Sequence, residues 1–385
     1  MRYSLVTLSV LLMSHIVLAQ KHPFYPKFSY QIETEMSEEK IQSSRAALLY
    51  SLIGDYHNSM QYSNSSVSWG VDSINLDSYS LENAVSNIVK EAKKHQIVII
   101  SENHSRPQHR IFAKNLISEL SKIGFDHLGL ETLDNLDTNL HTRGYPLLDN
   151  PLTGVYTLEP QMGDLVRTAI ALDMNLFGYE EVKKTKGKDR DEVQADNIIL
   201  YLKNNPNSKL VLVCGFYHAI ESDFKKYGTY YYMAKYLKDK LGIDPLTIYQ
   251  DNFTERLSRN EHPYLKDLNI DAPSIFVNQS GEVVSLSEHV DIEVVHPKTT
   301  YINGRPSWLY QSKQYQPINV ELRDFDVDFP IIVSAHPINE LNSVPVDRIE
   351  LKHRFDNKVL VLKTGEYKIS IYDGLNTWEY NQIVE

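Results

Sequence analysis

Four consecutive branched residues, Ile97-Val98-Ile99-Ile100, run straight into Ser101-Glu102-Asn103-His104, and this junction limits the possible folds more than any other stretch. No polar residue interrupts the run, so both faces of the strand must be covered, as inside a parallel sheet flanked by helices. Ile111, Phe112, Leu116, Leu120 and Ile123 then stripe one side of a helix that Gly124 stops. Residues 126–130 predict a second strand, with Glu131 at its end. In open α/β sheets ligands bind beyond the carboxyl ends of the strands. Two neighbouring parallel strands would therefore bring Glu102, His104 and Glu131 to one edge. Carboxylates beside imidazoles suit metal binding or acid–base chemistry. Any one of these residues alone reads as well as a helix cap or a solvated histidine.

The alternation of strand and helix continues. A helix from Glu159 precedes a strand at 175–179 that ends in Glu180 and Glu181. A charged loop and a helix from Arg190 follow, then an apolar strand at 210–214 ending in Gly215-Phe216-Tyr217-His218. A further helix around Met233 and a fifth strand at 246–249 complete the pattern. It predicts an α/β fold, a mainly parallel sheet with helices on both faces. Upstream, residues 20–36 read as an irregular lead-in, Ser37 as the start of a helix reaching about residue 60, and 81–95 as another helix. The insertion at 132–157 reads equally as a substrate loop or as a surface loop.

From about residue 251 the texture changes to short strands, at 274–277 and 290–295, with a hairpin turn at Asn278-Gln279-Ser280-Gly281. After residue 315 the pattern is almost purely β, with strands expected at 319–322, 331–334, 359–362 and 367–372. The expected organisation is an α/β domain over 20–314 and a small, sandwich-like all-β domain over 315–385. A tail of this kind serves attachment, stability or oligomerisation and carries no evident chemistry.

The net charge of −11, without a basic stripe interleaved with aromatics, argues against nucleic acid as a partner. Arg2, the apolar stretch 5–18 and the small residues of Val17-Leu18-Ala19 predict a signal peptide over residues 1–19. The mature chain is then expected to be exported, periplasmic or extracellular, with no membrane anchor after cleavage, and no lipoprotein anchor in particular, since no cysteine stands directly after the apolar run. Cys214, the single cysteine, lies inside an apolar run, where a buried and inert thiol is expected.

Arg190, near the start of its helix, offers a planar fork to a substrate carboxylate or to a site glutamate. Asn197 lies two turns further on the same helix face, Tyr179 sits at a strand end, and His109 opens the helix after Pro107. These three are the expected substrate-binding residues. His218, directly after a buried strand, joins the same edge.

The order of these pieces resembles the erythromycin-esterase-like and ChaN-like superfamily of α/β proteins. Ser101-Glu102-Asn103-His104 matches its first motif, with Ser101 replacing a glycine; Pro107 and His109 are nearer the ChaN-like branch. Arg190-Asp191-Glu192-Val193-Gln194-Ala195-Asp196-Asn197 is nearer the esterase branch, with Gln194 in place of methionine. Glu131 and His218 fit the order, and the resemblance spans roughly residues 80–250. It implies catalysis by Glu102, His104, Glu131, Arg190 and His218, with His104 as general base. A related metal-dependent branch implies Glu102, His104, Glu131 and His218 as ligands of Mn, Zn or Fe. The ChaN-like branch implies haem and no turnover. Three readings follow: an exported hydrolase acting on an ester or amide of a small molecule or peptide, a haem- or metal-binding protein, or a non-catalytic surface module.

Overall fold

A computed structural model of the chain describes residues 26–63, 76–149, 153–180, 188–256, 265 and 268–385. The expected signal peptide at 1–19 lies outside them, as does most of the charged loop before Arg190.

Helices α1 (Ser29–Ser37), α2 (Ser43–Leu52) and α3 (Tyr56–Tyr62) come first. Strand β1 (Tyr79–Asn83), α4 (Ala84–Ala92), β2 (Ile97–Glu102), α5 (Pro107–Ser121) and β3 (His127–Leu130) follow. Next are α6 (Leu140–Arg143), α7 (Pro160–Ala171), β4 (Asn175–Gly178), α8 (Arg190–Asn204) and β5 (Leu210–Gly215). Helix α9 (Met233–Leu241), β6 (Leu246–Phe253), β7 (Ser274–Asn278) and β8 (Ile292–Val295) complete one eight-stranded sheet in the order β1-β7-β8-β6-β2-β5-β3-β4. The run from β8 to β4 is parallel, while β7 pairs antiparallel with both β8 and β1.

Side chains of a strand alternate between faces, and both faces here are covered. Val98 and Ile100 pack with Phe112, Leu116 and Leu165 of α5 and α7 on one side. Ile97 and Ile99 pack with Ile198, Leu202, Met233 and Leu237 of α8 and α9 on the other. That double burial is what the unbroken apolar run requires. Cys214 lies in the second layer, and its burial pushes the thiol well above its usual range, as expected for an inert cysteine.

The C-terminal region is all β. Short strands β9 (Tyr301–Ile302) and β10 (Arg305–Pro306) lead to β11 (Tyr315–Ile318), β12 (Ile331–Pro337), β13 (Asp347–Leu351), β14 (Leu360–Lys363), β15 (Gly365–Tyr372) and β16 (Thr377–Val384). An antiparallel sheet β13-β12-β15-β16 and the pair β11-β14 enclose Val333, Ile349, Leu360 and Ile369. Residues 319–322, expected as a strand, form none; β11 precedes them.

The N-terminal segment differs most from expectation. Ser37 ends a helix instead of opening one, and the stretch to residue 60 is broken. Gly54, at φ +69°, abuts the Arg348 carbonyl so closely that a Cβ would stand 1.8 Å from its oxygen. Asp55 then caps α3 by accepting from the Asn58 N–H. This tight approach fastens the helices to the C-terminal sheet: Leu49 and Ile53 share a core with Ile332 and Val344, and the Arg348 guanidinium donates to the Leu52 carbonyl at 2.6 Å. Residues 81–83, expected as the start of a helix, instead belong to β1, with Asn83 as the cap of α4.

Candidate active site

Four adjacent strands, in the order β2-β5-β3-β4, end together and place Glu102, Gly215, Glu131 and Glu180 along one edge. The expectation that β2 and β3 are neighbours is corrected, because β5 lies between them. The reordering has a chemical result. The backbone of Gly215 now sits between the two acidic strand ends and carries no side chain to separate them.

The first half of the site is built on β2 and α5. Glu102 is buried and accepts from His104 Nδ1 at 2.8 Å. Arg110, one turn into α5, grips Glu102 through Nε at 2.7 Å and Nη2 at 3.2 Å, and donates to the His104 carbonyl at 2.9 Å. Burial would raise the Glu102 carboxyl, but Arg110 and His104 outweigh it and hold it down at about 2. Glu102 is therefore an acceptor at neutral pH, which places the proton of a neutral His104 on Nδ1. Nε2 is left as a lone pair beside Gly215 and Glu131. Tyr156 stacks on the imidazole with ring centroids 4.1 Å apart.

The second half comes from α8 and the turn after β5. His218 Nδ1 lies 2.5 Å from Asp191, which is fully buried and also takes Lys226 at 3.0 Å. Burial alone would lower the His218 pKa; Glu131 and Asp191 reverse that and raise it. Asp191 is held at about 2, where the His218 and Lys226 charges outweigh its burial. Between the two imidazoles, Glu131 accepts from the Gly215 N–H and from Arg190, with His218 Nε2 at 3.5 Å. Arg190 is shared with Glu180, at 2.8 Å from Nε, and Gln194 also donates to Glu180 at 2.8 Å. Two carboxylate–imidazole pairs thus flank an arginine–carboxylate cluster in a cavity of about 810 Å³.

Among the expected catalytic residues, His104, Glu131, Arg190 and His218 line this cavity, while Glu102 stands behind His104. The three expected substrate-binding residues do not reach it, and this is a correction. His109 is fully buried, its Nδ1 accepting from the Asn103 N–H at 3.0 Å and its Nε2 2.9 Å from the Thr254 hydroxyl. Tyr179 is buried, its hydroxyl donating to the Val213 carbonyl at 2.8 Å. The Asn197 amide donates to the Tyr179 carbonyl at 3.1 Å and so braces the end of β4. Asp191, Tyr156, Arg110 and Glu159 were not expected in the site. Asp191 had a signal in its place beside Arg190; Glu159, which takes Arg110 at 2.9 Å, had none.

The residues do not fit the metal reading. Glu102 is committed to Arg110 and His104, and Glu131 to Arg190 and the Gly215 N–H. Among the described residues, no group of three or more His, Cys, Asp or Glu is arranged to hold a metal ion. A haem held by His104 together with His109 does not fit either, because both ring nitrogens of the buried His109 are engaged.

Gly215 supplies a direct test of the geometry. A Cβ there would stand 2.6 Å from His104 Nε2 and 3.3 Å from Glu131 Oε2. The imidazole, being the end of a side chain, is what must give way. Gly215→Ala is expected to keep the melting temperature within a few degrees and to lower kcat/KM about 100-fold, the effect of a reacting group displaced by roughly 1 Å. Unchanged kinetics would show that His104 does not work from this position.

No family model and no curated protein matches the sequence. Weak likenesses to solved structures exist. The type III effector HopBA1 is 14% identical, with a TM-score of 0.34, over 58% of this chain and all of that one. ChaN of Campylobacter jejuni, described with cofacially bound haem, is 13% identical, with a TM-score of 0.33, over 55% of this chain and 91% of that one. RRSP, a MARTX toxin effector domain from Vibrio vulnificus, is 18% identical, with a TM-score of 0.31, over 54% of this chain and 43% of that one. Likenesses this slight carry no activity across.

Proposed function

We propose that the chain is an exported hydrolase that splits an ester or amide bond of a small molecule or peptide with water activated at His104. One observation carries the reading: the buried, ionised Glu102 fixes the His104 tautomer and leaves Nε2 free beside Glu131, which Arg190 holds. In the step that follows, Nε2 takes a proton from water as its oxygen bonds to the carbonyl carbon. The carbonyl electron pair moves onto oxygen, where Arg190 and the protonated His218 stabilise it. Collapse breaks the bond to the alkoxy or amino leaving group, which takes the proton of His218 Nε2. Acid and alcohol or amine are released, and the proton left on His104 passes to solvent while His218 takes one back, so both imidazoles regain their starting states.

The pH dependence tests the division of roles. Glu131 and Asp191 raise His218 above its ordinary 6.5, so its acid form persists to higher pH than an ordinary imidazole's and is lost as pH rises through the raised value. With an ester panel, kcat/KM is expected to fall on the alkaline side, and Asp191→Asn should move that fall to lower pH. Glu102→Gln should lower kcat/KM at least about 100-fold, within the usual range for acid–base catalysis. An alkaline limb that does not move, together with a Glu102→Gln rate within threefold of wild type, would refute the reading. A Soret band after haem addition that His104→Ala abolishes would replace it with haem binding.

A further inference from the structure

The segment 222–232, between the turn carrying His218 and helix α9, is dense in aromatics and forms one wall of the cavity. Phe224 lies parallel to Tyr232, with centroids 6.3 Å apart at 4°, and Tyr217 tilts against Tyr232 at 5.7 Å. At the tip, Tyr227 also lines the cavity and is 89% exposed. It takes φ +52°, followed by Gly228 at φ +72°, a turn that a tyrosine rarely adopts. The hairpin is closed by the Lys226 N–H donating to the Tyr230 carbonyl at 2.7 Å. Its base is tied to the catalytic half-site, since Lys226 pairs with Asp191 at 3.0 Å and Asp189 at 3.7 Å.

The charges on this wall are not symmetric. Arg190 and Lys226 are matched by carboxylates, but Lys225 has no carboxylate partner among the described residues. Its Nζ lies 5.2 Å from the centroid of the Tyr231 ring. An unmatched ammonium beside flat apolar rings selects a ligand that is itself flat and anionic.

We propose that 222–232 is a recognition flap and that the substrate carries, on one side of the scissile bond, an aromatic-sized flat group with a carboxylate. The inference rests on the hydrolase reading for the word substrate, but its test does not require turnover. The flat group lies against Tyr227 and Phe224 and removes their rings from water; the carboxylate reaches Lys225. The flap also gives binding a route to chemistry, because a ligand that presses on it bears on Lys226 and so on the Asp191–His218 pair.

Calorimetric titration of the full chain carrying His104→Ala with 2-naphthoate, 2-naphthamide and butyrate tests this directly. 2-Naphthoate should bind at least tenfold tighter than either of the others. Adding Tyr227→Ala should erase its advantage over butyrate, and adding Lys225→Gln its advantage over the amide. Tyr227 is exposed, so its replacement leaves the fold intact. Equal affinities for the three probes, or ratios that neither substitution changes, overturn the flap assignment. Naphthoate selectivity in a protein whose His104-bearing form hydrolyses no ester supports the flap and removes the hydrolase reading alone.

Discussion

His104→Ala is expected to lower kcat/KM about 1,000-fold on any ester or amide the chain hydrolyses, the middle-to-upper range for loss of a general base. Substrate binding should change far less, because Arg190, Tyr227 and Lys225 stay in place; the loss belongs in kcat. His104 is only partly buried, and its removal leaves Glu102 with Arg110 as partner, so the fold should persist. Equal urea midpoints for the two proteins would confirm that the loss is chemical. Added imidazole should restore part of the rate, since the vacated space lies against Tyr156 and Gly215 in an open cavity. Residual activity within tenfold of wild type would move the base elsewhere. His218 is the alternative, but Glu131 and Asp191 favour its charged form and suit it to the acid role.

How much of this was legible in the sequence depended on what each residue's neighbours were. The strands at 97–102 and 210–215 announced themselves because burial on both faces demands uninterrupted apolar residues. Their ends, with that of β3, named Glu102, His218 and Glu131, since polar residues directly after such strands have only the sheet's carboxyl edge to occupy. Strand order is another matter. That β5 separates β2 from β3 depends on packing between elements distant in sequence, and the role of Gly215 followed from it. Edge strand β1 escaped because Ser80, Glu82 and Asn83 face water and leave too few apolar residues to show a period of two. Asn197 and Tyr179 misled for a related reason. Tyr179 precedes Glu180 and Asn197 shares a helix with Arg190, but a helix face and a strand end each have a side that points inward. Arg110 carried a faint mark as a cation among Ile111, Phe112 and Leu116, where a charge must have a partner. The partner Glu159, 49 residues away, carried none.

That buried cluster supplies the second large effect. Arg110→Met is expected to destabilise the fold by about 3–5 kcal/mol at pH 7, the range for removing one partner of a buried ion pair. Arg110 is fully buried and holds Glu102 and Glu159 together, while Tyr56 donates a hydroxyl to Glu159 at 3.2 Å. Burial already raises the Glu159 carboxyl against the pull of Arg110, so this side of the cluster has little charge stabilisation to spare. In wild type the depressed Glu102 contributes stability that is complete above its unfolded value, near 4.3, and is lost as pH falls toward about 2. Without the guanidinium the sign reverses. Two carboxyls left in a low-dielectric interior bind protons more tightly folded than unfolded, so the variant gains stability as pH drops from 7 toward 5. Urea unfolding at both pH values therefore separates the explanations. A deficit that shrinks at pH 5, and that Glu159→Gln partly repairs at pH 7, is the signature of unpaired buried carboxylates. A deficit independent of pH and of Glu159 would mean that Arg110 serves α5 through packing alone, and that the charge of Glu102, on which the tautomer of His104 depends, is set by something other than this arginine.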